Sequence, residues 1–361
     1  MKPTSRLLLG PGPTNVSDAV KDSAKRYEIG HLDPILLEML DEISENFRYV
    51  LNASAQFSLP ISGTGSAGME ALITNLVNRR DRVLVGVNGA FGLRAVEMFK
   101  RREAEVDIVE ASWGTAIDQE RFISEIEKRS PKIAWIVHAE TSTGVRNDID
   151  RIGHSGNDTI FIVDCVTSAG GIEIKMDEWG IDAIVSASQK CLGSYPGLSP
   201  IAISSKGIES LVDSKSWYLD LKQIADYALR SGSRKYHHTA PTSLIAALYE
   251  ALGEIKSIGL EKVLTQHEQA GRFLWHELRN MGFEFVVDEK NRLPQLTTIY
   301  CGERINDDVE FRHKLLDEFN IEIGGGLGIF QGKILRIGLM GHNANIETVD
   351  RFLECFRKCL D

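Results

Sequence analysis

The chain has 361 residues, of which 43% are hydrophobic and 25% are charged, and its formal net charge at pH 7 is −10. This length and composition are sufficient for two domains, or for one large α/β unit with a sizeable buried core. The acidic balance without a basic stretch argues against nucleic acid as a partner, and the apolar run at residues 7–9 is too short for a signal peptide or a membrane-spanning helix.

The first part of the chain begins with a segment rich in turn formers. Residues 10–14, Gly-Pro-Gly-Pro-Thr, form a rigid stretch that fits either an ordinary N-terminal arm or a loop lying over an active site. Residues 34–50 carry apolar side chains at helical spacing, so we predict an amphipathic helix there. The β-prone segment 57–62 then leads into a glycine-rich turn, which is followed by a second helical pattern.

This glycine-rich turn, residues 63–68, is typical of a phosphate site. Backbone N–H groups at a helix N-terminus and the positive end of the helix macrodipole both face an anion there, and the hydroxyls of Thr64 and Ser66 can add donors. The glycine spacing also matches the G-x-G-x-x-G of dinucleotide-binding folds, but the next predicted strand, 82–87, ends without the acid that this fingerprint requires. A phosphate role is therefore favoured over a purely structural turn, and both are favoured over a dinucleotide site.

Strand and helix patterns alternate from there to residue 204. We predict helices at 92–102 and 119–128 and strands at 82–87, 106–109, 133–137, 159–164, 181–185 and 201–204. This alternation predicts an α/β fold, a mostly parallel sheet with helices on both faces. Ligands of such sheets bind beyond the carboxyl ends of the strands. Phe91 lies at one of these exits, where it can stack on a heteroaromatic ring or belong to the core.

Two ionisable residues follow two of these strands. Asp164 ends the strand pattern at 159–164, and Lys190 follows the pattern at 181–185. A partly desolvated amine with a lowered pKa is the nucleophile that forms a Schiff base with an aldehyde, whereas an ordinary lysine at a strand end reaches into solvent. An aspartate for a pyridinium nitrogen and a lysine for an aldehyde carbon are the pair that pyridoxal phosphate requires.

The remainder of the chain has a different pattern. We predict helices at 243–257, 260–280, 307–318 and 346–359 and strands at 283–287, 296–300, 322–323 and 334–338. The last part therefore reads as a smaller α+β unit. Arg336 lies amid apolar strand residues, so its guanidinium needs an anionic partner, either a substrate carboxylate or an internal acid. The adjacent His237 and His238 lack further ligands at metal spacing, so we expect no metal site.

Taken together, these segments resemble the class V, fold-type I pyridoxal-phosphate aminotransferases, in particular the alanine–glyoxylate and serine–pyruvate (serine–glyoxylate) group. The resemblance runs nearly end to end and is carried by residues 9–13, 62–71, 88–89, 140–144, 163–164, 188–190, 236–239 and 335–341. It implies the fold of that family, with a mostly parallel seven-stranded sheet in a large domain and a smaller C-terminal α+β domain. The corresponding boundaries are residues 1–15 for an N-terminal arm, 16–257 for the large domain and 258–361 for the small domain.

The resemblance also implies roles for individual residues. Lys190 carries the cofactor as a Schiff base and Asp164 pairs with its pyridine nitrogen, and these two are the catalytic residues. The implied contacts to the cofactor are Thr64, Gly65, Ser66 and Gln189 at the phosphate, Phe91, Val166 and Ser142 at the ring, and Tyr236 and Thr239 reaching the phosphate of the neighbouring subunit. Arg336 binds the substrate carboxylate. The chain departs from the family at Phe91, where many relatives carry Trp, and at Ser66, where some carry His.

The implied activity moves an amino group from a small amino acid, alanine or serine, to glyoxylate or pyruvate, within a homodimer that shares its active sites. Three alternatives stay open on the same scaffold: a 2-aminoethylphosphonate–pyruvate transaminase, a ureidoglycine–glyoxylate transaminase, and a non-catalytic pyridoxal-phosphate-binding protein. A cysteine desulfurase is disfavoured because it needs a mobile nucleophilic cysteine, which the glycine-rich loop at 324–328 lacks. The five scattered cysteines have no disulfide spacing, so we expect a cytoplasmic protein.

Overall fold

The structure, a computed structural model, describes residues 5–55 and 57–360. Residues 1–4 of the predicted N-terminal arm and residue 361 of the predicted small domain lie outside it. The strands, in chain order, are β1 (Leu7–Leu9), β2 (Phe57–Ser62), β3 (Arg82–Val87), β4 (Glu105–Glu110), β5 (Ile133–Val137), β6 (Ala139–Glu140), β7 (Val145–Arg146), β8 (Ile160–Asp164), β9 (Ala183–Val185), β10 (Leu198–Ile203), β11 (Leu296–Tyr300), β12 (Ile321–Gly325) and β13 (Ile334–Gly338). The α-helices are α1 (Asp18–Arg26), α2 (Pro34–Val50), α3 (Gly65–Leu76), α4 (Ala90–Arg101), α5 (Gln119–Arg129), α6 (Ser205–Glu209), α7 (Leu221–Ala228), α8 (Thr242–Ile258), α9 (Leu260–Asn280), α10 (Asp308–Phe319) and α11 (Ile346–Leu360).

The larger sheet has the strand order β2-β10-β9-β8-β5-β3-β4, seven strands within the described residues. The strands from β9 to β4 in this order pair in parallel, whereas β10 runs antiparallel to both of its neighbours. Strands β5 and β8 are buried along their whole length, as expected for central parallel strands that are covered on both faces. The predicted α/β fold with a mostly parallel seven-stranded sheet is confirmed.

Helix α2 illustrates how the local sequence fixes an element and its packing. The Asp33 carboxylate accepts a hydrogen bond of 2.9 Å from the Ile35 N–H, and Pro34 occupies the first turn, where a missing N–H costs nothing. The apolar face that includes Leu36 and Phe47 is buried against α8 and β2. The helix therefore begins and ends where the apolar spacing predicts. No helix in residues 5–55 and 57–360 is both long and apolar enough to cross a membrane.

A second sheet has the order β1-β12-β13-β11. Strand β1 lies parallel to β12, with Leu7 opposite Ile321, and β13 runs antiparallel to β11 and β12. Behind this sheet lies a separate hydrophobic cluster that includes Leu9, Leu315 and Phe352. The N-terminal segment thus contributes a strand and a core residue to the C-terminal part of the chain. The domain boundaries at residues 15 and 257 stay predictions.

Several elements differ from the sequence-based expectation. The predicted strand at 283–287 is wrong: Phe285 forms only an isolated bridge with Ile299, because the segment makes too few hydrogen bonds with β11 for a continuous ladder. Strand β1 and helices α1, α6 and α7 were not predicted. In α1 the buried residues are Val20 and Ser23 alone, so this short helix contains too few large apolar residues to be recognised from its sequence.

Candidate active site

Strands β8 and β9 bring the two predicted catalytic residues to one edge of the larger sheet. They are parallel neighbours, and Asp164, the last residue of β8, is opposite Val185, the last residue of β9. Lys190 lies in a turn five residues beyond β9, not at the strand end itself. Within this turn the Ser188 hydroxyl donates to the Tyr195 carbonyl at 2.6 Å, which fixes the loop that carries the lysine.

A cavity of about 280 Å³ opens at this edge. Most of the predicted site residues line it: Thr64, Gly65, Ser66, Phe91, Asp164, Val166, Gln189 and Lys190. The cavity wall also contains residues that the sequence analysis did not single out: Met69, Arg94, Val137, Ala139, Thr141 and Thr167. The predicted residues Ser142, Tyr236, Thr239 and Arg336 are outside the lining. The cavity therefore gathers the predicted lysine, aspartate and glycine-rich turn from segments that lie far apart in the sequence.

Asp164 is a carboxylate with few partners. Its side chain is 3% exposed, and Oδ1 accepts one hydrogen bond of 2.9 Å from the Val166 N–H. Burial raises the pKa of Asp164 to about 7, with a smaller upward contribution from the negative charge of Glu140. A cation beside this carboxyl would favour its ionised form. The site is thus suited to a protonated nitrogen in the cavity.

Lys190 is also desolvated, and burial lowers the pKa of its amine to about 8. Its Nζ donates a hydrogen bond to the carbonyl of Pro11. Gly12 has a φ of +93°, and a Cβ at this position would collide with the Lys190 side chain. The segment 10–14 therefore lies over the lysine, as one of the two interpretations of this segment expected. The Thr14 hydroxyl anchors it by donating to the Met340 carbonyl at 2.7 Å.

The glycine-rich turn provides hydrogen-bond donors that are free for a ligand. Helix α3 begins at Gly65, and its N-cap residue Thr64 makes no side-chain capping bond. A Cβ on Gly65 would meet the side chains of Val166 and Ala187 at 3.2 Å, so the helix end stands close against the cavity wall. The buried Oε1 of Gln189 has no hydrogen-bond partner among the described residues. Free backbone N–H groups and nearby hydroxyls fit a phosphate group, whereas Gln189 could contribute only through the NH2 group of its amide, since Oε1 is an acceptor.

Phe91 enters the cavity from the first turn of α4, and Glu140 holds that turn. The Glu140 carboxylate accepts from the Phe91 N–H at 3.0 Å, at the helix end where an anion is favoured. The Ser142 hydroxyl accepts from the Ala90 N–H at 2.8 Å and donates to Glu140 at 2.5 Å. Ser142 is thus engaged behind the wall, while its neighbour Thr141 lines the cavity. The ring contact of Ser142 stays a prediction.

Arg336 lies on β13 with 6% of its surface exposed. Its Nε donates to the Gly325 carbonyl at 2.7 Å and its Nη1 to the Thr141 carbonyl at 3.0 Å. Burial lowers the pKa of the guanidinium to about 10, while the negative charge of Glu140 opposes this shift. Arg336 forms no ion pair with a carboxylate of residues 5–55 or 57–360. The guanidinium thus lies next to Thr141, which lines the cavity. Its positive charge is available to bind an anion.

Tyr236 and Thr239 lie apart from the cavity on an exposed segment. Tyr236 is 54% exposed, and its hydroxyl is 3.5 Å from the Thr239 hydroxyl. Between them, His237 and His238 approach each other with 2.8 Å between their Nδ1 atoms, and His238 contacts the Ser62 hydroxyl at 2.6 Å. In the described part of the chain, no group of three or more His, Cys, Asp or Glu residues is arranged to hold a metal ion. The role of Tyr236 and Thr239 across a subunit interface stays a prediction.

The residues of this region that sequence reasoning missed include Arg94, Glu140 and Thr141. Arg94 stands three residues after Phe91, a spacing that places both on one side of α4. Glu140 and Thr141 follow β5, so they occupy the strand exit where ligands bind in parallel sheets. Helical spacing and strand exits were therefore the signals that could have identified them.

Residues 10–352 match the family model described as Aminotransferase class-V. The chain is similar to an alanine–glyoxylate aminotransferase of Drosophila melanogaster, with 36% identity over 99% of this chain and 92% of that protein. It is also similar to the (S)-ureidoglycine–glyoxylate transaminase of Bacillus subtilis (strain 168), with 34% identity over 95% of this chain and 88% of that protein. Among solved structures, an alanine–glyoxylate aminotransferase from Nostoc sp. superposes with a TM-score of 0.96 and 40% identity, covering 100% of this chain and 97% of that one.

We expect the Lys190 amine of the apoprotein to be acylated with a midpoint near pH 8, because burial lowers its pKa. Lys358 on α11 serves as the internal control, since its hydrogen bond to Glu354 raises its pKa. Both peptides can be followed by mass spectrometry in one experiment from about pH 6 to pH 11. A Lys190 that reacts only at the pH where Lys358 reacts would contradict the buried, partly neutral amine.

Proposed function

The chain belongs to the class-V aminotransferases and is a pyridoxal-phosphate-dependent enzyme, and we propose that it transfers the amino group of alanine or serine to glyoxylate or pyruvate. The observation that carries this proposal is the meeting of Lys190, Asp164 and a phosphate-type helix end in one cavity. Similarity to an alanine–glyoxylate aminotransferase and a ureidoglycine–glyoxylate transaminase supports glyoxylate as the acceptor.

The cavity residues fit pyridoxal phosphate. Thr64, Gly65 and Ser66 would hold the phosphate through hydroxyl and backbone N–H donors at the start of α3, and Gln189 would add the NH2 group of its amide, because its Oε1 only accepts hydrogen bonds. Asp164 would face the ring nitrogen. When bound, the cofactor supplies an electron sink for the charge that remains once the Cα proton of the amino donor has been removed.

Phe91 and Val166, which line the cavity, would cover the two faces of the cofactor ring. Lys190 would carry out the proton transfer. With a pKa of about 8, about a tenth of its amine is neutral at pH 7, far more than for an ordinary lysine, and the neutral Nζ can take the donor's Cα proton and return it.

Asp164 would remain ionised beside a protonated nitrogen, since an opposite charge favours the charged form. Arg336 would orient the substrate by a bidentate contact with its carboxylate. Together these residues would bind the cofactor, position the substrate and move the proton.

A ureidoglycine–glyoxylate transaminase is the second candidate, because that relative is 34% identical over 95% of this chain. The residues that carry the chemistry would be the same in both cases, so the two candidates differ only in the amino donor. A 2-aminoethylphosphonate–pyruvate activity and a cofactor-binding protein without turnover are the remaining outcomes of the test below.

We also propose a cytoplasmic homodimer in which Tyr236 and Thr239 of one protomer complete the phosphate site of the other. Two observations support the shared site: both residues are exposed, and neither lines the cavity of its own chain. All five cysteines are free thiols, which supports a reducing compartment.

Addition of the correct amino donor to the purified protein should remove the visible absorbance band of the bound cofactor, and glyoxylate or pyruvate should restore it. L-alanine, L-serine, (S)-ureidoglycine and 2-aminoethylphosphonate are tested in turn by absorbance spectroscopy. A band that responds to one donor identifies it. A band that no donor changes would contradict the proposed transamination.

Replacing Arg336 by Ala should raise KM for the amino donor about tenfold or more, because a charge-assisted contact of about 1.5–3 kcal/mol is lost. Arg336→Lys, which keeps the charge, should recover part of this loss. Arg272→Ala, which removes a surface ion pair with Glu268 on α9, is the matched control and should leave KM unchanged. An unchanged KM in Arg336→Ala would place the carboxylate site elsewhere.

Mixing two inactive variants tests the shared site. A Lys190→Ala protomer and a Tyr236→Ala/Thr239→Ala protomer should each form inactive homodimers. Co-expressed in equal amounts, they should regain about a quarter of the wild-type activity, because half of the dimers then contain one intact site. Steady-state assays measure this recovery. A mixture that stays inactive, although mass spectrometry shows mixed dimers, would contradict completion of the site by the partner.

A further inference from the structure

Arg94 is a cavity-lining cation that the proposed mechanism leaves unused. It projects from α4, where its guanidinium lies 4.8 Å from the centroid of the Phe91 ring and its Nη1 lies 3.4 Å from the Ser66 hydroxyl. Within residues 5–55 and 57–360 it forms no ion pair. Glu97, an acid one turn further along the same helix, pairs with Arg101 at 2.8 Å and not with Arg94. Arg94 is therefore directed at the cavity and not at its own helix surface.

Few charged side chains lie near Arg94 in the cavity wall. The other ionisable side chains in the lining are Asp164 and Lys190. Burial is the main cause of their shifted pKa values, and the positive charge of Arg94 lowers the pKa of both, so its field reaches the reacting groups. The residues proposed for the phosphate, Thr64, Ser66 and Gln189, are all neutral. A phosphate placed at Ser66 would have neutral donors and a helix end around it, with Arg94 as the adjacent full positive charge.

We propose that Arg94 is the counter-ion of an anionic group bound at the corner formed by Ser66 and Arg94. This inference rests on the proposed function and adds to it a residue that recognises a second anion, besides the carboxylate assigned to Arg336. Two groups have this chemistry: the phosphate of the cofactor, and the side-chain acid of a dianionic amino donor. A planar guanidinium can bind either one through two parallel N–H bonds.

Binding of the cofactor with and without its phosphate separates these sources. Apoprotein is titrated with pyridoxal 5′-phosphate and with pyridoxal, and dissociation constants are read from absorbance and tryptophan fluorescence. If the anion is the phosphate, Arg94→Gln should weaken pyridoxal 5′-phosphate about tenfold or more and pyridoxal by less than about twofold. Arg94→Lys should recover part of the loss. Arg101→Gln, on the same helix, should change neither constant.

If the anion belongs to the donor, Arg94→Gln should leave both dissociation constants unchanged. It should instead raise KM for L-aspartate, which carries a second carboxylate, about tenfold relative to KM for L-alanine. Equal weakening of pyridoxal 5′-phosphate and pyridoxal would overturn the proposal, because it would mean that Arg94 merely supports Phe91. No change in any of these quantities would overturn it as well. A wild-type protein that binds no pyridoxal 5′-phosphate would instead contradict the proposed function itself.

Discussion

Burial of a carboxylate and an amine at the exits of two adjacent parallel strands is the constraint on which the active site depends. Transfer of either group out of water costs free energy unless partners replace the lost hydration. Asp164 gains one backbone N–H and Lys190 one backbone carbonyl, so burial shifts both groups towards their neutral forms. A ligand that brings a protonated nitrogen to Asp164 and a reactive carbonyl to Lys190 relieves both costs. The folded protein should therefore be stabilised by its cofactor.

The two sheets meet around this pair of charges. Strand β1 is part of the smaller sheet, yet the residues directly after it, Pro11 and Gly12, contact Lys190 of the larger one. The Thr14 N–H donates to the Gln189 carbonyl at 3.1 Å and the Thr14 hydroxyl donates to the Met340 carbonyl, so Thr14 joins the loop that carries Lys190 to the end of β13. Arg336, on β13, donates to Thr141 beyond the end of β5. Arg336, which we propose as the substrate-binding residue, is thus fixed by contacts that need both sheets in place.

Prediction from the sequence succeeded for elements whose burial is visible in the local pattern of apolar residues. Strands β3, β5 and β13 and helix α9 have the predicted bounds because the strands are short, mainly apolar runs and the apolar residues of α9 recur at helical spacing. It failed where the determining contacts are long-range. Nothing near Leu7 shows that it pairs with Ile321, and nothing in residues 140–144 shows that Ser142 turns to Glu140 while Thr141 faces the cavity. Such choices depend on side-chain packing between distant segments, which periodicity does not describe.

Glu140 interacts with three parts of the site that the sequence analysis treated separately: the start of α4, Asp164 and Arg336. It is fully buried, it accepts from the N–H groups at the start of α4, and its charge raises the pKa values of both Asp164 and Arg336. In the proposed complex the acids Glu140 and Asp164 would be balanced by Arg336 and a protonated ring nitrogen, so Arg94 and the protonated fraction of Lys190 would remain as positive charge. A chain with a net charge of −10 thereby keeps a local positive field at its cavity. That local field attracts anionic cofactors and substrates to the cavity, although the protein as a whole carries a negative net charge.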